Sequence, residues 1–273
     1  MARAILVTGA SSGIGRATAL ELARRGAAVY AGVRDRAAGE TLGPAVTPVE
    51  LDVTDAEQVA AAGARLERLD GLVNNAGIAI TGPLEHLPLD AVRQQLEVNA
   101  LGQLAVIQAC LPALRAARGR IVNMSSISGR VAFPMYGPYA ASKFALEALS
   151  DSLRRELRGS GVEVVAIEPG SVATPIWERG LSTGDRLWQA MPAVAHQRYG
   201  RLYETLRALG ERQAREGDPP EALARLVADV LEARRPRPRY VFGRSARIQT
   251  LAARVLPDRV FDALIAAALR RSP

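Results

Sequence analysis

The chain has 273 residues, 48% of them hydrophobic, with 35 basic side chains against 28 acidic ones and a formal charge of +7. That much apolar material excludes a disordered chain and can fill one large α/β domain or two small ones. The single cysteine, Cys110 in the apolar run VIQACLPAL, excludes an internal disulfide and reads as a buried thiol, and no uninterrupted apolar stretch reaches the ~18 residues of a membrane span.

Apolar runs and helical patterns alternate from the start. AILVT (4–8) reads as a buried strand, IGRATALELARRG (14–26) as a helix with a glycine stop, and AAVYAGV (27–33) and TPVELDV (47–53) as the next two strands. A helix over 55–69 follows, then strand GLVNN (71–75), helices across 88–117 and strand RIVNMSS (120–126). Helix 138–158 and strand VEVVAIEP (162–169) come next. This βαβ alternation predicts a doubly wound parallel sheet, Rossmann-like, with helices on both faces. After Pro169 the rhythm loosens, and the regular order resumes with helix 219–234 and strand RYVFG (239–243). The tail, PDRVFDALIAAALRR, places Val260, Phe261, Leu264, Ile265, Ala268 and Leu269 on one face of an amphipathic helix. There is no internal repeat.

The arginines are scattered among acids and alanines, as in ELARRG and DSLRRELRG, which is the pattern of solvated helix faces. No nucleic-acid partner is expected, although RRPRPRYVFGRSAR (234–247) is the densest basic cluster. The motif TGASSGIG falls within the first fifteen residues, too soon for a signal peptide, so a cytoplasmic protein is expected. His86 and His196 have no metal-ligand spacing with other candidates, and no metal site is assigned.

TGASSGIG (8–15) joins the first strand to the first helix. Gly9 allows the tight turn, Gly13 lets backbone amides approach a phosphate, and Gly15 lets the helix lie close to the sheet. The helix N-terminus then points its free N–H groups and positive dipole at a pyrophosphate. The spacing is GxxxGxG rather than the usual GxGxxG. The second strand ends in VYAGVRD. An NAD site wants a carboxylate there for the ribose hydroxyls; Val33 cannot bind that diol, whereas the Arg34 guanidinium can clamp a 2′-phosphate. NADP is therefore expected over NAD, against the plainer alternative that Arg34 is a surface arginine.

Of the 35 lysines and arginines, 34 are arginine; the one lysine is Lys143, in YGPYAASKFAL. Tyr139 stands four residues before it, on the same helical face, whereas Tyr136 lies beyond GP and is too far along the chain to pair by helical geometry. A phenol with pKa ~10 is a poor base unless a nearby cation stabilises its ionised form. Arginine cannot replace the compact, rotatable ammonium. Ser126 ends a strand thirteen residues before Tyr139, where ligands of open α/β sheets bind, and its hydroxyl can polarise a carbonyl oxygen. Ser125 is the adjacent candidate, and strand alternation points only one of the two into the cleft.

Together, TGASSGIG, NNAG (74–77), VNALG with Asn99, SS before SG (125–129), YAASK (139–143) and PGSVATP (169–175) resemble the short-chain dehydrogenase/reductase family in its compact single-domain branch, over roughly residues 3–175. The resemblance implies an oxidoreductase that moves a hydride between NADP(H) and a ketone or secondary alcohol. It makes Tyr139 the general acid/base and gives the substrate carbonyl to Ser126. Lys143 would lower the tyrosine pKa and bind the nicotinamide ribose, and Asn99 would position a water in a proton relay. Around the cofactor it places the phosphate turn of Gly9, Gly13 and Gly15, with Ser11, Ser12 and Ile14 also binding the cofactor and Asp52 and Val53 flanking the adenine. Asn75 lines the adenosine side and Val172 and Thr174 hold the carboxamide, with Ala76, Gly77, Pro169 and Gly170 also binding the cofactor. For Asn74 a purely structural role, bridging backbone between strands, is preferred, and the same alternative stands for Asn75 and Asn99. The stretch between LDVTD and LVNNAG is shorter than usual in the family, so the helix there should be short.

The resemblance divides the chain into a dehydrogenase domain, 1–245, with a substrate lid at about 174–218, and a helical tail, 246–273. The lid holds Trp177 and Trp188, taken as substrate contacts in an apolar cover. A further similarity to hydroxysteroid and retinol dehydrogenases implies a bulky lipophilic substrate. The family pattern implies a homodimer or homotetramer through helices 88–117 and 138–158. The alternative functional reading is a non-catalytic NADP-sensing regulator on the same fold, against which the Ser–Tyr–Lys set argues. A membrane contact, if any, is a weak peripheral one through the tail helix.

Overall fold

The computed structural model describes residues 2–271. Its first half is β1 (Ala4–Thr8), α1 (Gly13–Arg24), β2 (Ala28–Val33), α2 (Arg36–Glu40), β3 (Val46–Glu50), α3 (Ala56–Ala64), β4 (Gly71–Asn74) and α4 (Leu89–Leu96). A π turn (Glu97–Leu101) joins α4 to α5 (Gly102–Ala117), and β5 (Arg120–Met124), a 3-10 turn (Ile127–Gly129), α6 (Gly137–Glu156) and β6 (Glu163–Pro169) follow. The last part holds α7 (Ile176–Gln189), α8 (Ala193–Glu216), α9 (Pro220–Glu232), β7 (Arg239–Phe242), α10 (Arg244–Val255) and α11 (Asp258–Arg271).

The seven strands are all parallel, in the order β3-β2-β1-β4-β5-β6-β7. Such a sheet is covered on both faces, so its strands are apolar throughout and alternate residues feed two cores. In β1, Ile5 and Val7 join the core under α1 and α9, while Leu6 joins the core under α3 and α5. The same alternation separates Val122 from Ile121 and Val165 from Val164. The strand order reverses between β1 and β4, and a crevice opens there beyond the carboxyl ends.

Several differences from the sequence reading have local causes. The third strand stops at Glu50, because Leu51–Val53 turn away along the crevice, with the Asp52 amide donating to Gln58 Oε1 at 2.7 Å. The helix expected over 55–69 is the shorter α3, N-capped by Asp55, whose carboxylate accepts from the amides of Glu57 and Gln58. The apolar run 88–117 is interrupted by the π turn, which rotates Asn99 into the interior. By length and composition 89–117 is apolar enough to cross a membrane, with mean hydropathy 1.3 in its best window. Its Val106, Ile107, Cys110 and Leu114 are instead buried in the core against the sheet. The loose segment after Pro169 is two long helices broken at Pro192, which lacks the N–H to continue a helix.

Gly63 sets how closely α3 approaches α5: a Cβ there would lie 2.6 Å from the Ala109 carbonyl oxygen. Gly63→Ala is therefore expected to cost about 1–3 kcal/mol through overpacking. Urea unfolding should show a lower midpoint with an unchanged slope.

Candidate active site

The β1–α1 turn is built for close approach. Gly9 and Gly13 have φ of 63° and 54°, in the left-handed region that side chains disfavour. A Cβ on Gly15 would lie 2.3 Å from the Gly9 carbonyl oxygen and 2.5 Å from Asn75 Nδ2, so no side chain fits. Asn75 Nδ2 donates to the carbonyls of Thr8 (3.0 Å) and Gly9 (3.3 Å), tying the turn to the end of β4. The Thr8 hydroxyl accepts from the amides of Asn75 and Ala76. The turn is thus held rigid from behind, and its open side faces a cleft that Ser11, Ser12, Gly13 and Ile14 line. Ser12 precedes α1 and makes no capping bond of its own. This cradle fits the pyrophosphate of a dinucleotide.

The second group lies beyond β5. Ser126 is extended (φ −165°, ψ 162°), and its hydroxyl caps the 3-10 turn by accepting from the Ser128 amide at 3.1 Å. Lys143 is buried, and its Nζ donates to the Met124 carbonyl at 2.8 Å and lies 5.7 Å from the centre of the Tyr139 ring. Burial raises the Tyr139 phenol above its usual pKa, and a hydrogen bond with the Ser126 side chain acts the other way. Burial also pulls the Lys143 ammonium down to about 8, with the Glu147 charge opposing. Both serines line the cleft, against the expectation that strand alternation would turn one away; the Ser126 side chain acts on the Tyr139 phenol, whereas Ser125 Oγ is buried and has no hydrogen-bond partner among the described residues. Tyr136, just outside α6, also lines the cleft, but burial pushes its phenol up to about 12.

Both groups open onto one cleft of about 760 Å³. Asp52, Val53, Ala76 and Gly77 line its wall, and Arg34 stands exposed at the end of β2, with Val33 buried beneath it. Pro169, Gly170, Val172 and Thr174 close the side nearest β6, where Thr174 Cβ would be 3.1 Å from a Cβ on Gly13. Trp177 lines the cleft and donates its Nε1–H to the Val172 carbonyl at 2.9 Å.

Two expected residues stand elsewhere. The Trp188 ring is stacked between His196 (centroids 4.6 Å apart) and Tyr203 (4.3 Å), joining α7 to α8, and does not line the cleft. The apolar composition of the lid is shared between cleft and helix packing, and a sequence cannot apportion it. The Asn99 side chain is engaged with backbone: Oδ1 accepts from the Ile78 amide (2.9 Å), and Nδ2 donates to the Ile78 carbonyl (3.0 Å) and Ser142 Oγ (3.2 Å). It braces the wall from behind instead of lining the cleft. Asn74 likewise bridges, donating to Asn123 and the Gln103 carbonyl.

Sequence reasoning missed Arg179 and Arg186, one stripe of α7 facing the cleft, and the contribution of the tail. Arg179 Nη2 reaches Ser12 Oγ at 3.4 Å, over the phosphate turn. Leu209 of α8, Ala246 of α10, and Ile265 and Leu269 of α11 supply an apolar far wall. The tail's amphipathic pattern was visible, but nothing in it says which surface the apolar face meets.

The family model described as short chain dehydrogenase matches residues 3–183. The chain belongs to the short-chain dehydrogenase family. It is an NAD(P)-dependent oxidoreductase of that family, acting between alcohols and ketones. It is similar to retinol dehydrogenase 5 of Mus musculus, 38% identical over 96% of this chain and 87% of that protein. It is also similar to the NADPH-dependent 3-dehydrocapnine reductase of Ornithobacterium rhinotracheale, 34% identical over 95% of each chain. A short chain dehydrogenase from Burkholderia cenocepacia J2315, solved in complex with NADP, superposes with a TM-score of 0.77 at 30% identity over 97% of each chain. In this short-chain dehydrogenase Trp188→Ala should loosen the packing of α7 on α8 without reshaping the cleft. Each lost aromatic contact is worth about 0.5–1.5 kcal/mol, so faster limited proteolysis between 176 and 216 is expected, with substrate preference unchanged.

Proposed function

We propose that the protein is an NADP(H)-dependent reductase or dehydrogenase of a bulky, lipophilic ketone or secondary alcohol. The observation that carries this reading is the convergence of Ser126, Tyr139 and Lys143 at the end of β5, on the same cleft as the β1–α1 phosphate cradle. The nicotinamide, when bound, supplies or accepts the hydride. Ser126 holds the substrate oxygen, and the Tyr139 hydroxyl gives that oxygen a proton in reduction or takes it in oxidation. The Lys143 ammonium holds the ribose hydroxyls and favours the ionised phenol, which burial alone disfavours. Asn99 shapes the wall beside them through Ile78.

The choice of NADP is supported by Arg34, an exposed cleft residue with no acidic partner among the described residues, and by the NADP-bound and NADPH-dependent relatives. The lipophilic substrate is supported by the apolar wall of Trp177, Leu209, Ile265 and Leu269, and by the retinol dehydrogenase relative. A homodimer or homotetramer is part of the same reading, supported by Phe144 of α6 and Leu101 beside α5, which are 45% and 53% exposed. So is a division into dehydrogenase domain, lid and tail, and a cytoplasmic location, which the buried free thiol of Cys110 suits.

Tyr139→Phe should abolish turnover in a screen of ketones and alcohols while leaving NADPH binding intact, and Lys143→Arg should retain the fold but lose most activity. Near-native turnover in either variant refutes the assigned roles. Arg34→Ala should lower kcat/KM with NADPH about ten- to hundredfold, for a charge-assisted contact of about 1.5–3 kcal/mol, and leave NADH almost untouched. A wild-type preference for NADH would refute the NADP assignment.

A further inference from the structure

Behind Lys143 lies a buried charged cluster that the three residues at the cleft do not explain. Glu147 follows Lys143 by one turn of α6 and shares its face. It is 5% exposed. Its Oε2 accepts from Arg239 Nε at 2.9 Å and Arg130 Nη2 at 3.2 Å, while its Oε1 is buried with no hydrogen-bond partner among the described residues. Glu168 of β6 is engaged more fully, accepting from Arg130 Nε (2.9 Å) and Nη2 (2.8 Å), with Arg239 at 3.4 Å. Arg239 also donates to Asp151 at 2.7 Å.

Gly129 marks where these groups converge. A Cβ there would lie 2.9 Å from Ser125 Oγ, 3.1 Å from Glu147 Cγ and 3.2 Å from the Lys143 carbonyl oxygen. The two unpartnered oxygens, Ser125 Oγ and Glu147 Oε1, therefore belong to residues flanking the same glycine, beside the lysine backbone. A buried carboxylate oxygen without a hydrogen bond is costly unless a cation compensates it. Arg130 and Arg239 compensate the carboxylate directly on its Oε2 side; the further cation, on its own helical stripe, is Lys143, whose ammonium has three donors and gives one to the Met124 carbonyl.

We propose that Glu147 is a positioning residue for the reaction: its buried carboxylate keeps Lys143 in the ammonium form beneath Tyr139 at neutral pH. This rests on, and deepens, the acid/base reading of Tyr139 and Lys143. Burial and the opposing charge of Glu147 together leave the lysine at about 8, so loss of that charge brings its titration into the working range. The Tyr139 ring and the Met124 carbonyl lie against the Lys143 ammonium, with Glu147 one turn on along α6 and Ser125 near the Lys143 backbone at Gly129. Farther out lie Arg130, Glu168 of β6, Arg239 of β7 and Asp151, of which the two arginines oppose the effect and the two acids add to it.

The chain's single lysine makes the test direct. Protein grown on lysine labelled with 13C at the ε carbon gives one lysine resonance, from Lys143, and its titration is followed without cofactor. Glu147→Gln should move the midpoint down by about one pH unit or more. Glu147→Asp, which keeps the charge but withdraws it by one methylene, should move it less. Glu168→Gln, which removes the neighbouring carboxylate from the same arginines, should also move it less than Glu147→Gln does. A Glu147→Gln midpoint equal to wild type overturns the proposal, as does an equal shift in Glu168→Gln, which would assign the effect to the cluster as a whole. If Glu147→Gln does not fold, Glu147→Asp decides: a midpoint below wild type supports the coupling and an unchanged one overturns it. These titrations need no turnover, so they fail separately from the acid/base reading. In the active holoenzyme the basic limb of the kcat–pH profile should move down with the midpoint; a limb that stays in place overturns the use of this charge in turnover.

Discussion

One ammonium ion withdrawn from water is the constraint on which the arrangement around the end of β5 depends. Lys143 is held against the Met124 carbonyl at the end of β5, with the Tyr139 ring across it and a carboxylate one turn behind. Desolvation penalises that charge, and an aliphatic side chain of similar size would pack there more cheaply. The cost is tolerable because backbone and carboxylate both favour the charged form. The surrounding arrangement follows from this: a serine and tyrosine in front, an arginine-braced acid cluster behind, and a glycine at 129 because no side chain fits between them.

The sheet places that ion within reach of a dinucleotide. Parallel strands end together on one side, and the reversal between β1 and β4 leaves a crevice where those ends meet. Asn75, at the end of β4, supports the phosphate turn after β1, and the end of β5 carries the serine. The two halves of the site are therefore set by adjacent strands, in a register fixed by buried apolar residues such as Leu6, Leu72 and Ile121. Precision in the site comes from the core.

What was legible in the sequence was what is local. Alternating burial demands apolar runs, so most of the strands could be placed from them; the glycines of the phosphate turn and the i, i+4 spacing of Tyr139 and Lys143 encode their geometry within a few residues. What was not legible depended on distant contacts. Trp188 and Trp177 look alike in composition, and only the positions of His196 and Tyr203 turn one away from the cleft. Asn99 sits in a recognisable motif, yet its side-chain partners come from the β4 loop and α6, after a π turn that no apolar periodicity announces. The approach of α11 to the cleft is of the same kind, since an amphipathic helix specifies a face and not its counterpart.

The division of labour between the two tryptophans has an optical consequence. Their indoles sit in different surroundings within one short stretch of chain: Trp177 borders the cleft, with its N–H bound to the Val172 carbonyl, and Trp188 is sandwiched between an imidazole and a phenol. With no other indole in the chain, intrinsic emission separates into two channels once either is replaced by phenylalanine. One indole borders the cleft; the other is held in the packing between α7 and α8. The two emissions therefore start from different environments, one at the cleft and one inside helix packing.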